Sequence, residues 1–158
     1  MWIYDNKKIT SLEQIPSEAI GFIYCIHNFS KDRMYIGKKN LYHWKRVGIK
    51  RHQELKLEGF EVRKHKNKKK SKKGLPVWVY KAKLESDWLM YTGSNKELNE
   101  DIKKGDRIEK HIWQFSNCLK NLSFLETEAQ FKMDVIRDNE KFYNGNILGK
   151  YFPGDLNC

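Results

Sequence analysis

The chain has 158 residues, enough for one domain with a modest core, and carries 31 Lys/Arg against 20 Asp/Glu, a formal net charge of +11. No apolar run approaches the ~18 residues needed to span a membrane, and Met1-Trp2-Ile3-Tyr4-Asp5 lacks the profile of a secretory signal. Cys25, Cys118 and Cys158 are odd in number and far apart, and the five histidines have no metal-ligand spacing. A disulfide framework and a CxxC zinc site are thereby excluded, and a reducing, cytoplasmic setting is expected.

In chain order, the first clear pattern is a hairpin. Phe22, Tyr24 and Ile26 alternate with Ile23, Cys25 and His27, turn residues run from Asn28 to Asp32, and Met34-Tyr35-Ile36-Gly37 resumes the strand character. Pairing of the two runs would bring the phenols of Tyr24 and Tyr35 near one another. A basic, helix-like stretch follows, with Lys38, Lys39, Lys45, Arg46, Lys50 and Arg51 and with His43 and His52 among them.

From Arg33 to Lys83 there are 18 Lys/Arg against 3 Asp/Glu, whereas the rest of the chain has 13 against 17. The densest part, Arg63 to Lys73, holds nine basic residues in eleven, His65 included, and no apolar one. Such a run buries nothing, so a mobile inserted loop is expected at about 62–75. Lys38, Lys39, Lys45, Arg63, Lys64, Lys68, Lys69 and Lys70 are the candidates for contacts to a nucleic-acid backbone, which give affinity and salt sensitivity without sequence preference. A solvated solubility loop is the plainer use of the same residues.

Leu75-Pro76-Val77-Trp78-Val79-Tyr80 is apolar, but its proline argues against a central strand. Trp88 to Thr92 alternates and reads as a third strand beside the hairpin. Ser94-Asn95-Lys96-Glu97 has capping-box spacing, with Leu98 and Ile102 on one helix face and Gly105 as the stop. Arg107 to Phe115 reads as another strand, and Trp78, Trp88 and Trp113 as core. A last helical pattern opens at Leu125-Glu126-Thr127-Glu128 and closes at Tyr143-Asn144-Gly145-Asn146-Ile147. The expected fold is α+β, a single domain over 1–158 with a small antiparallel sheet, the hairpin plus a third strand, flanked by helices.

Two tyrosines in a hairpin, an arginine after them, a glutamate on a later helix and an asparagine near the end follow the order of the GIY-YIG nucleases, which the chain resembles from Ala19 to Ile147. It is most similar to the small stand-alone GIY-YIG proteins of bacteriophages, where a block like Asp87-Trp88...Tyr91-Thr92-Gly93-Ser94 and a helix like Glu126...Gln130-Phe131 are expected. The chain departs from the pattern at two places: the first motif glycine falls on Phe22, leaving Gly21 one place early, and the arginine position falls on Lys45, with Arg46 beside it. Arg46 is preferred because a planar fork suits phosphate better than an ammonium.

The resemblance implies a DNA endonuclease that uses Mg²⁺, or Mn²⁺ in its place, inside a bacterial host cell. Tyr24 would help deprotonate water, Tyr35 would orient water or a phosphate oxygen, Arg46 would stabilise phosphoryl charge, Glu126 would hold the metal and Asn144 would fix the site. Glu128 competes with Glu126, and Asn146 with Asn144. Ser123-Phe124-Leu125-Glu126 also matches a capping box, which would give Glu126 a purely structural task. Two rival readings have other chemistry: a basic nucleic-acid-binding protein that keeps the fold without cleaving, and a phage factor that captures an acidic host protein.

Overall fold

The computed structural model describes residues 1–67, 74 and 77–147. In chain order its elements are strands β1 (Trp2–Tyr4), β2 (Lys7–Ile9), β3 (Gly21–Asn28), β4 (Arg33–Asn40) and β5 (Tyr42–Val47), helix α1 (Ile49–Leu57), β6 (Val62–Lys66), β7 (Trp78–Glu85), α2 (Lys96–Lys103), β8 (Ile108–Ser116) and α3 (Leu119–Lys132). They form two compact units: residues 1–41 with 87–158, and residues 42–86. The first contains a five-stranded sheet in the order β2-β1-β8-β3-β4, and the second a three-stranded sheet in the order β5-β7-β6. The α+β class holds, with β3 antiparallel to both β4 and β8 and with β1 parallel to β8.

The first unit is built around β3, which is buried along almost its whole length. On one face Trp2 meets Phe22 and Tyr24 edge to face, at centroid distances of 5.0 and 5.2 Å. Cys25 and Ile36 pack with Val135, Ile136, Phe142 and Ile147 in a second cluster. Helix α3 lies close enough that a Cβ on Gly21 would come within 2.6 Å of both Leu122 Cδ2 and the Lys39 carbonyl oxygen. Close approach of a helix and a neighbouring strand therefore accounts for the early glycine.

Strand β4 ends the sheet, and its outer edge is closed by the segment after α3. Met34 N–H donates to the Lys141 carbonyl and Tyr143 N–H to the Met34 carbonyl, both at 2.8 Å. One step further, the Asn144 amide takes the place of a strand: Oδ1 accepts from Ile36 N–H at 2.9 Å, and Nδ2 donates to the Ile36 carbonyl at 2.7 Å. An edge that would otherwise present unpaired backbone groups is sealed in this way.

Several expectations need correction. The strand beside the hairpin is β8, whereas Trp88–Thr92 is turn and loop. Its carbonyls are taken by side chains instead of a ladder: Trp2 Nε1 donates to the Trp88 oxygen at 2.7 Å, and Lys110 Nζ to the oxygens of Leu89 and Tyr91 at 2.9 and 2.8 Å. A register shift opposite Ile23/Tyr24 throws Trp113 out of the alternation of β8, so it is 40% exposed; Trp78 is 46% exposed, and only Trp88 is core.

The basic stretch is not one helix. Lys38 and Lys39 end β4, Lys45 and Arg46 lie on β5, and the helix starts at Ile49. Arg63 and Lys64, expected in a mobile loop, are on strand β6, while Lys68, Lys69 and Lys70 lie outside the described residues. β7 is central in its sheet despite the preceding proline, because the strand begins at Trp78, after Pro76. Among the described residues, no helix is long and apolar enough to cross a membrane.

Candidate active site

Register places the hairpin tyrosines. Tyr24 pairs with Gly37 and Ile26 with Tyr35, so both phenols share a face as diagonal neighbours, with ring centroids 6.1 Å apart. Gly37 is the gap that admits them: a Cβ there would lie 2.7 Å from Tyr24 Oη, 2.9 Å from Tyr24 Cζ and 3.2 Å from Tyr35 Cε1. The loop after Trp88 supplies a third phenol, Tyr91, whose ring stands perpendicular to that of Tyr24 at 6.0 Å. Lys39 Nζ caps the Tyr91 ring at 3.8 Å.

These hydroxyls are linked. The Tyr24 and Tyr91 hydroxyls share a hydrogen bond and Ser94 interacts with Tyr91, while Ser94 Oγ and Tyr35 Oη are 2.9 Å apart. Burial raises the Tyr24 phenol far above the ordinary tyrosine range, and the neighbouring Tyr35, Tyr91 and Glu126 push it further the same way. Tyr24 is thus a neutral donor at physiological pH. A phenol so buried and so weakly acidic can act on water only through the hydroxyls it is linked to.

Tyr35 opens onto a cavity of about 450 Å³, lined also by Ser94, Glu126, Gln130, Tyr143 and Asn144. Helix α3 aims its stripe Leu122, Glu126 and Gln130 at successive four-residue steps, which keeps them on one face. Glu126 is half-buried, and its Oε2 lies 3.0 Å from Lys38 Nζ, which also donates to Ser123 Oγ at 2.8 Å. Gln130 Nε2 donates to the Ile36 carbonyl at 3.2 Å, and its buried Oε1 has no partner among the described residues.

Helix α3 sets Glu126 and Glu128 on different surfaces. Glu128 pairs with Lys132 at 2.8 Å and lines a groove with Leu125 and Met133. The helix starts after Cys118, so Ser123 is internal and its Oγ bonds back to the Leu119 carbonyl at 3.1 Å; Glu126 does not cap. The N-cap of α2 is likewise Asn95, whose Oδ1 accepts from Leu98 N–H at 2.9 Å, which leaves Ser94 free to meet Tyr35.

The far wall is held from behind. Tyr143 Oη donates to buried Asp101 at 2.9 Å, Asn28 Nδ2 donates to Tyr143 Oη at 2.9 Å, and Arg33 lies over the Tyr143 ring at 4.0 Å. Burial, reinforced by Asp101, pushes the Tyr143 phenol up to about 12. Asn144 spends its amide on Ile36, so it shapes the wall; Asn146 also lines the cavity.

The structure thus brings Tyr24, Tyr35, Glu126 and Asn144 together with Lys38 and Lys39 in the first unit. Lys45 and Arg46 lie exposed on β5 of the second unit, as does His43; His52 is on α1 with its ring 5.0 Å from that of Tyr80. Sequence reasoning passed over Tyr91, Ser94 and Gln130 as site residues. The block Tyr91-Thr92-Gly93-Ser94 was visible, but reading it as a strand and a cap hid which atoms face the tyrosines.

The fold and cavity define an α+β domain whose paired hairpin phenols adjoin a glutamate on a later helix. The chain belongs to the GIY-YIG endonuclease family: a family model described as "Putative endonuclease segE, GIY-YIG domain" matches residues 2–147. No curated protein and no solved structure matches it.

Proposed function

We propose that the chain is a phage-type, metal-dependent endonuclease that hydrolyses phosphodiester bonds of DNA. One observation carries this reading: a solvent-open cavity lined by the Tyr35 phenol and the Glu126 carboxylate, beside a buried Tyr24. The donor set fits a hard divalent ion only as a sparse site, since no group of three or more His/Cys/Asp/Glu able to hold a metal occurs among the described residues. Glu126 would hold Mg²⁺ or Mn²⁺, and the remaining positions suit water and substrate phosphate. Such an ion supplies Lewis-acid polarisation of a phosphoryl oxygen and acidifies water.

The protein's own groups do the rest. Tyr35, tied to Ser94, orients water or a phosphate oxygen at the cavity wall. Tyr24, hydrogen-bonded to Tyr91, keeps the hydroxyl set in one geometry. Lys38 places positive charge beside Glu126, where phosphoryl charge develops. Arg46 contributes a guanidinium for phosphate from the basic unit, with Lys39, Lys45, Arg63 and Lys64 and the sequence run Lys68, Lys69, Lys70 as further phosphate contacts.

The test is incubation of supercoiled plasmid with purified protein and Mg²⁺, beside an EDTA control, Glu126→Ala and Glu128→Ala. Wild type and Glu128→Ala should convert the plasmid to open-circular or linear DNA, and Glu126→Ala should be at least about 100-fold slower. Equal cleavage by Glu126→Ala would overturn the assignment. Intact plasmid with shifted mobility would favour the binding-only reading.

A further inference from the structure

The formal charge of this chain follows its structural division. Residues 42–86 hold 15 Lys/Arg against 4 Asp/Glu, and the remaining 16 basic residues are balanced by 16 acidic ones. All of the net +11 therefore belongs to the smaller unit.

Register shows how part of that charge is displayed. Directly opposite residues on neighbouring strands share a sheet face. Trp44 opposes Lys83, Arg46 opposes Lys81, and Arg63 opposes Lys81 from the other side. These five residues form one face, with Arg46 and Arg63 exposed and Lys81 and Lys83 half-exposed. Tyr80, which carries the ring contact to His52 of α1, alternates to the opposite face, so the cationic face is turned away from the helix.

The cations are also held in place. The Arg63 guanidinium lies 4.1 Å over the Trp44 ring and Lys83 Nζ 4.9 Å over the Tyr42 ring. Glu61 joins the two, at 3.0 Å from Arg63 Nη2 and 3.3 Å from Lys83 Nζ. A solubility surface needs charge but no such order. Cations fixed on aromatic supports across three adjacent strands have lost side-chain freedom before binding, which favours an extended polyanion over scattered counterions.

We propose that this face of the β5-β7-β6 sheet is a nucleic-acid grip, which binds backbone phosphates without reading sequence. Its binding does not depend on the cavity being catalytic. The test is fluorescence anisotropy of a labelled DNA duplex in EDTA, titrated with the whole chain over a series of NaCl concentrations. The triple variant Arg63→Ala/Lys81→Ala/Lys83→Ala is compared with a control of equal charge loss, Lys7→Ala/Lys8→Ala/Lys103→Ala, whose residues are exposed in the other unit.

The grip variant should bind at least about tenfold more weakly at 0.1 M salt, and its log–log salt slope should be smaller in magnitude by about 2 to 3, at ~0.9 per lost phosphate contact. The control should change affinity less than about threefold on the same counterion argument. Lys81→Glu alone, which leaves Arg63 and Lys83 on their rings, should weaken binding in the same direction. Equal losses in both triple variants, or an unchanged slope in the grip variant, would overturn the proposal. Wild type that binds in this way yet cuts no plasmid would overturn the cleavage reading and leave the grip standing.

Discussion

Gly37→Ala is the sharpest probe of the site, because its methyl group would enter occupied space. The new Cβ would stand 2.7 Å from Tyr24 Oη and 2.9 Å from Tyr24 Cζ, with Tyr35 Cε1 at 3.2 Å. Tyr24 cannot swing aside, since its ring is enclosed by Trp2, Phe22 and Tyr91. Overpacking of this kind costs about 1–3 kcal/mol, offset by about 0.4–1 kcal/mol from the stiffer unfolded chain, for a net loss of about 1–2 kcal/mol. Tyr24→Phe alone should cost about 0.5–1.5 kcal/mol for the lost hydrogen bond to Tyr91. The double variant should be less damaged than the sum, by about 0.5 kcal/mol or more, because the closest clash is with the hydroxyl that Phe lacks. Urea unfolding of the four proteins measures the cycle, and plasmid cleavage should fall in both variants that carry the Gly37→Ala change. Additive energies, or a Gly37→Ala protein as stable and active as wild type, would refute the packing argument.

Asn144→Ala should strand the Ile36 N–H at the β4 edge, leave its C=O with Gln130 Nε2 alone, and lower stability by about 1–3 kcal/mol in denaturant melts; an unchanged midpoint would mean that water replaces the amide. Lys110, buried against Trp2, has its ammonium pushed down to about 8 by desolvation, whereas the unfolded chain titrates it at its ordinary, higher value. Between those values the unfolded state binds more protons, so this group's penalty is full below about pH 8 and relaxes as pH rises toward 10. Stability relative to Lys110→Met should accordingly rise by on the order of 1–2 kcal/mol from pH 7.5 to 9.5, and a flat difference would argue that the two carbonyl bonds hold the charge without penalty.

Much of this arrangement was legible in the residues. Alternation around Tyr24 and Tyr35 gave the hairpin and its shared face, and four-residue spacing put Leu122, Glu126 and Gln130 on one side of α3 and Glu128 on another. What was not legible turned on atoms distant in sequence. Trp88–Thr92 alternates like a strand, but Trp2 and Lys110 take its carbonyls, and no local pattern records that. The polar, Lys-rich Val62–Lys66 reads as loop because strand propensity reflects packing against neighbours, here rings on β5 and β7 that meet Arg63 and Lys64. The pairing of Asn144 with Ile36 is not legible either, because a side chain that imitates a strand has no sequence signature.

The balance of charge separates two tasks that a nuclease must perform. Net attraction for a polyanion acts over about a Debye length and adds to affinity whether or not the phosphate is reacting. Stabilising a pentavalent phosphoryl group instead requires charge fixed at one point and present only where it is used. The first unit has no net formal charge, yet within it Lys38 is locked between Glu126 and Ser123, and the phenols are tied to one another and to Ser94. Adding cations to that unit would tighten binding of substrate and transition state alike, without raising the rate once substrate saturates. On the proposed reading, confining the excess charge to residues 42–86 would let backbone affinity be tuned there while the cavity kept the geometry that hydrolysis needs.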